Sequence, residues 1–295
     1  MTIADNLQTL IDCKADMKAA IEERGVTVSG GLSTYADAIR SIEGESIESA
    51  FICEEGFRYS SSKKEDFGVF DFTYIIDGSY MFSDYSGWDM GASPDNLMTK
   101  IKIVNANNCS NMQYIFKDCR YLTTVDMDDT SNVIDMMGMF LACYELTDFP
   151  NIDTRSVTNM MGMCESCIKL KNVDNLNTSK AKDMRLTFYN CKKLEKLPFM
   201  DFTNVVNVQE FLGNNTTITT LGGFKNLGAA SGFLGSNKGF LDGCANLTYT
   251  SIMNVINNLA KPRGENELKL HTNVLAKLSN SDIAIATNKG WVITV

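Results

Sequence analysis

Residues 132–146 read Asn132-Val133-Ile134-Asp135-Met136-Met137-Gly138-Met139-Phe140-Leu141-Ala142-Cys143-Tyr144-Glu145-Leu146, and this arrangement returns every 24 residues between Cys109 and Leu221. Met112, Met136, Met160, Met184 and Val208 form one column, and Phe116, Phe140, Cys164, Phe188 and Leu212 a second. Cys119, Cys143, Cys167, Cys191 and Asn215 form a third, and Leu122, Leu146, Leu170, Leu194 and Ile218 a fourth. A fixed period in the twenties marks a solenoid, in which one unit cannot bury its apolar face alone and stacks on its neighbours. Within a unit, Met136, Met139, Phe140 and Cys143 fall at i, i+3, i+4 and i+7, which predicts about two turns of helix. Asp129-Thr130-Ser131-Asn132 and Asp153-Thr154-Arg155-Ser156 precede that stripe with side chains suited to an N-cap. Leu122–Val125, Leu146–Phe149 and Leu194–Leu197 read as short strands. The expected fold is an α/β solenoid with one short helix and one strand per rung.

The unit resembles the repeat of BspA-like leucine-rich-repeat surface proteins, roughly Asn-Val-x-Asn-Met-x-x-Met-Phe-x-x-Cys-x-x-Leu. The resemblance covers about residues 79–250, with a degenerate first copy at Met81-Phe82 and a last one at Leu241, Cys244 and Leu247. It implies a leucine-rich-repeat-like scaffold for surface recognition, found in bacterial adhesins and in proteins of tailed phages, rather than any one chemistry.

Three segments follow from this reading: a helical anchor or oligomerisation segment at 1–44, the solenoid at 45–250 and an α/β cap at 251–295. In the first, Ile3, Leu7, Leu10, Met17 and Ile21 form an apolar seam interrupted by Lys14 and ended at Gly25, and a second helix starts near Thr34–Asp37. Ile3–Ile42 resembles the leader of predicted tail and fibre proteins from phages of gut Bacteroidetes; a plain cap over the first rung is the alternative. Residues 1–8 show no basic segment followed by an apolar run, so a signal peptide is not expected there. Val69–Ile76 reads as a strand, 84–96 as an inserted loop carrying Trp88, and 222–235 as a flexible excursion. In the cap, Ile252, Val255, Ile256 and Leu259 predict a helix stopped by Pro262, Leu268–Leu270 a strand, Ser281 the start of a helix ending at Gly290, and Trp291–Val295 a last strand.

Composition narrows the functional classes. A net charge of −9 opposes attraction to a phosphate backbone, so nucleic acid is not an expected partner. No apolar run is long enough to span a bilayer as a helix, and membrane insertion is not expected. Of the nine cysteines, four share one repeat column and read as reduced core residues. Cys164-x-x-Cys167 is a by-product of that column, since no second pair or histidine follows at zinc-site spacing. His271 is the sole histidine, so any triad would have to run through it, and its place beside a strand reads as structural. No phosphate-loop, dinucleotide or zincin motif occurs, and no cofactor or metal is expected. A glycosidase needs only two carboxylates, and that class stays open on sequence alone.

The candidate contacts are Trp88, Tyr121, Tyr144, Lys169, Lys171, Lys193 and Lys196. Arg120 and Tyr144 share one column, and Tyr121, Glu145, Lys169 and Lys193 the next. With Lys192 these lysines form a local basic stripe suited to anionic polysaccharide, and tyrosine rings suit sugar faces. A solvated rim of lysines is the plainer alternative. The expectation is a non-enzymatic, homo-oligomeric virion protein of a tailed phage, a tail or fibre component assembled in the host cytoplasm. It would bind other virion proteins through 1–44 and host surface through its repeats. The runner-up is a BspA-like adhesin on a bacterial cell surface, and a polysaccharide-active enzyme is the third reading.

Overall fold

The computed structural model describes residues 51–52, 66–72, 75–83, 98–231, 233, 240–262 and 266–295. The chain divides into two compact units, Met1–Ser49 and Ala50–Val295. The expectations for the two leader helices, for the loop at 84–96 and for Trp88 lie outside the described residues.

Four strands open the second unit: β1 (Phe51–Ile52), β2 (Asp66–Asp71), β3 (Lys100–Val104) and β4 (Thr124–Met127) form one parallel sheet in that order. The strand expected at 69–76 thus starts earlier and ends at Asp71. Phe72 donates to Val104 across the ladder, and Ile75 turns back to Phe72. From β3 onward the register is constant: Lys100 faces Thr124, Asp148 faces Asn172, and β5 (Lys196–Leu197) pairs with β7 (Thr220–Leu221). Each partner stands 24 residues on. β6 (Met200–Asp201) likewise pairs with β8 (Phe224–Lys225). The extended segments are short where proline interrupts them: Pro150 follows Phe149 and Pro198 follows Leu197, and neither has an N–H to give the ladder. β4 has Asp126 at that place and runs on to Met127.

The helix expected in each rung is replaced by consecutive turns. Met112, Tyr114, Phe116 and Asp118 donate their N–H groups to Asp135, Met137, Met139 and Leu141 of the next unit at 2.8–3.0 Å. The intervening Ile115, Lys117 and Cys119 donate three residues back, to Met112, Tyr114 and Phe116. Direct backbone bonding between units holds neighbours at ~4.8 Å, whereas packed helices need 8–10 Å between axes. An α-helix also directs its N–H groups along its own axis and leaves none for a neighbour. Two columns sit in the left-handed region, Tyr114, Gly138, Gly162, Leu186 and Glu210 in one and Asp118, Ala142, Ser166, Asn190 and Asn214 in the other, with φ between 55° and 62°. At Gly138 the glycine is favoured by that conformation and also by space, because a Cβ would lie 2.3 Å from the Tyr114 ring.

The intended caps serve the stack instead. Thr130 is buried, and its hydroxyl donates to the Asp153 carbonyl at 2.9 Å while accepting from the Asp153 N–H at 2.8 Å. Thr154 repeats this with Asn177, and Thr178 donates to Asp201. A second polar column alternates acid and amide: Asp77, Asn111, Asp135, Asn159, Asp183 and Asn207 bridge in succession. Asp135 Oδ1 accepts from the Met137 N–H, and Oδ2 accepts from Gln113 at 2.7 Å and from Asn159 at 3.1 Å. Asn207 reaches Asp183 in the same way at 3.5 Å.

The core is built from the repeat columns. Met112, Phe116, Cys119, Leu122, Met136, Phe140, Cys143, Leu146, Met160, Cys167, Leu170, Met184, Phe188, Cys191 and Leu194 are fully buried. Phe82, Phe116 and Phe140 stack with centroids 5.7 and 5.6 Å apart, the rings of successive units lying nearly parallel. Cys119, Cys143, Cys167 and Cys191 are free buried thiols, and each Sγ lies 3.1–3.2 Å from the carbonyl of the Phe-column residue one unit earlier: Phe82, Phe116, Phe140 and Cys164. Asn215 takes over this place with its amide, which donates to the Phe188 carbonyl at 2.6 Å.

Residues 222–231 do not leave the ladder as the excursion reading expected. Phe224 and Leu227 are buried, and Asn226 donates to the Asn258 carbonyl. The chain closes with α1 (Tyr249–Asn257), β9 (Asn266–Lys269), α2 (Thr272–Leu275), α3 (Asn280–Asn288) and β10 (Trp291–Thr294), β9 and β10 pairing in parallel. Ser279, not Ser281, caps α3, in a reciprocal capping box with Asp282. His271 caps α2 by accepting the Asn273 N–H at 3.1 Å.

Candidate binding face

The exposed face lies immediately after the cysteine column, where each rung turns from its buried segment into its extended one. Burial of the cysteine and of the leucine three residues later leaves the two residues between them to point away from the core. In successive units these are Arg120 and Tyr121, Tyr144 and Glu145, Ile168 and Lys169, and Lys192 and Lys193. The parallel register places them in two straight columns.

Arg120 and Tyr144 meet: the guanidinium carbon stands 5.4 Å from the Tyr144 ring centroid. Tyr121 is 48% exposed. Lys169 is held by Glu145 at 2.6 Å and Lys196 by Asp174 at 3.7 Å, while the Lys192 ammonium donates to the Asn214 carbonyl at 3.3 Å. Lys171 is exposed beside Asp148, whose carboxyl is held below the usual range by hydrogen bonds from Asn172 and Thr147, with Lys171 adding to the effect. Lys193 is exposed and has no ion pair among the described residues. The basic stripe is therefore partly neutralised by acids of adjacent rungs, and its unpaired cations are fewer than the sequence suggests.

Sequence reasoning missed the left-handed columns and the tyrosine stack beside them. Tyr80 and Tyr114 stack at 4.9 Å with their planes 27° apart, and Tyr114 covers Gly138. Near it, Glu165 is half-buried, which raises its carboxyl pKa. The recurrence of Gly, Asn and Asp at these two places was the available signal, since those residues tolerate the left-handed region.

Among the described residues, no group of three or more His, Cys, Asp or Glu is arranged to hold a metal ion, and no helix is long and apolar enough to cross a membrane. Burial pushes the thiols of Cys143, Cys164 and Cys191 well above their ordinary range, so they are poor nucleophiles as they stand.

No curated protein sequence matches the chain. Residues 52–167 and 110–221 each match the family described as "Mycoplasma protein of unknown function, DUF285", and together the two matches run from 52 to 221, more than half of the chain. The match is consistent with the BspA-like repeat and says nothing of a phage setting. With the cysteine column from Cys119 to Cys191 and both exposed columns inside the matched residues, the chain belongs to the DUF285 family.

Proposed function

We propose that the protein is a non-enzymatic attachment protein, a leucine-rich-repeat-like solenoid whose exposed repeat face binds a host surface or another virion protein as a tail or fibre component of a tailed phage. The observation that carries the reading is the pair of straight columns, Arg120 and Tyr144 in one and Tyr121, Glu145, Lys169 and Lys193 in the other. They stand on backbone cross-linked to the next unit at every second N–H of the turn segment. Such a surface binds without first ordering itself, which lowers the entropic cost of association. The phage setting rests on the resemblance of residues 3–42 to tail-protein leaders, and residues 1–44 would then join the particle or a further copy of the chain. Free thiols accord with assembly in a reducing host cytoplasm.

The family match favours a second reading, a BspA-like adhesin at a bacterial cell surface. One experiment separates them: proteomic mass spectrometry of purified phage particles against the outer surface of candidate bacterial cells. Recovery with particles, lost on deletion of residues 1–44, supports the virion reading. Recovery only from cell surfaces overturns it.

A further inference from the structure

We propose that Arg120 is an anion-reading residue and that the polymer it reads is an acidic polysaccharide, an inference that rests on the repeat face being the binding face. An arginine carries five N–H donors in a planar fork, and such donors are normally bonded in a folded protein. Arg120 makes no side-chain hydrogen bond among the described residues. Its Nε is buried without a partner, and the nearest carboxylate oxygen, Asp118 Oδ1, stands 3.8 Å from Nη2, beyond hydrogen-bond reach. Asp118 is shared with Lys117 at 3.4 Å, and Glu145 of the next unit is taken by Lys169 at 2.6 Å.

The fork is nonetheless held in place. Tyr144 lies under the guanidinium at 5.4 Å, and the side chain is 40% exposed. A guanidinium fixed by a ring and open at its outer end suits a carboxylate or sulfate received through two parallel N–H bonds. A lone small anion would use only this point. Lys193, which has no ion pair among the described residues, stands three units further on in the neighbouring column of Tyr121, roughly 14 Å away at ~4.8 Å per rung. Two cations so spaced along the face favour a linear ligand that repeats its charge, and the exposed ring of Tyr121, in the same unit as Arg120, offers a sugar face beside the arginine.

The test is calorimetric titration of the full chain with polygalacturonate, dextran sulfate, neutral dextran and polyglutamate at low and high salt. Binding to one or both acidic polysaccharides and not to dextran is expected, and which of the two binds identifies carboxylate or sulfate. Arg120→Gln should weaken binding about tenfold or more, and Arg120→Lys, which keeps the charge and loses the fork, nearly as much. Lys193→Ala should weaken it by a smaller factor, and thermal melts of each variant verify the fold. Equal binding by wild type and both Arg120 variants overturns the inference, as does absence of binding to either acidic polysaccharide. Tighter binding of polyglutamate also overturns it, in favour of an acidic protein partner. Attachment to host cells that survives Arg120→Gln sinks this inference alone, whereas wild-type chain that attaches to neither cells nor particles sinks the attachment function itself.

Discussion

The thiol of Cys143 points at the carbonyl oxygen of Phe116, 27 residues earlier in the chain and one unit away in space, with Sγ and O 3.2 Å apart. That oxygen also receives the Cys119 N–H at 3.1 Å, so the thiol supplies its second bond. Cys143→Ala should destabilise the fold by about 1–3 kcal/mol through lost packing and the lost donor. Cys143→Ser, which keeps a donor, should cost less. Urea unfolding of both variants decides; equal losses would mean that the thiol acts as bulk alone.

The same burial governs reactivity and pH. Native protein should leave Cys119, Cys143, Cys167 and Cys191 unmodified by a thiol reagent, and denatured protein should expose them without reductant. Burial raises the Cys109 thiol from 9.0 to about 11, so the folded chain holds that proton more tightly than the unfolded chain. The stabilisation is complete below pH 9 and is lost as the pH rises through about 11. Melting temperature should fall across that window, and Cys109→Ala should flatten the fall.

Phe140 is stacked on Phe116 at 5.6 Å and meets the edge of Phe149 at 6.2 Å; the unit after it carries Cys164 in the column, so Phe188 is not its neighbour. Phe140→Ala should cost ~3–5 kcal/mol, because neither ring can fill the space without leaving its own. A loss below about 1 kcal/mol in chemical denaturation would remove this column from the core.

Asn215 Oδ1 is buried and has no hydrogen-bond partner, while the amide nitrogen does the work of the missing thiol. Asn215→Cys should restore the column and raise stability by about 1 kcal/mol or more. A lower melting temperature for this variant would show that the orphaned oxygen is satisfied by bound water.

The 24-residue period, the buried columns and the shared column of Arg120 and Tyr144 were legible because in-register stacking turns sequence spacing directly into contact. The helix was misread for a physical reason. Turns whose inner residues recur three and four apart bury the same positions as a helical stripe, and apolar pattern alone does not reveal where N–H groups point. Gly138, Gly162, Asn190 and Asn214 carried the distinction, since a helix interior disfavours glycine and asparagine. Lys169 and Lys196 looked like free cations because their pairing with Glu145 and Asp174 depends on side-chain reach across rungs, which spacing does not encode. Ser279 rather than Ser281 caps α3 because it stands three residues before Asp282, whose carboxylate closes the capping box.

The alternation of Asp77, Asn111, Asp135, Asn159, Asp183 and Asn207 gives the array a parity. Loss or gain of whole units would change the length of such an array while keeping its register. Excision of the one unit carrying Asn159 would bring Asp135 against Asp183, two carboxylates ~4.8 Å apart in place of an acid and its amide donor. Excision of two consecutive units would restore the pairing. Relatives that share this column should therefore differ from this chain by even numbers of units, and a rung count of the wrong parity should carry a compensating change of Asp to Asn or Asn to Asp at the seam.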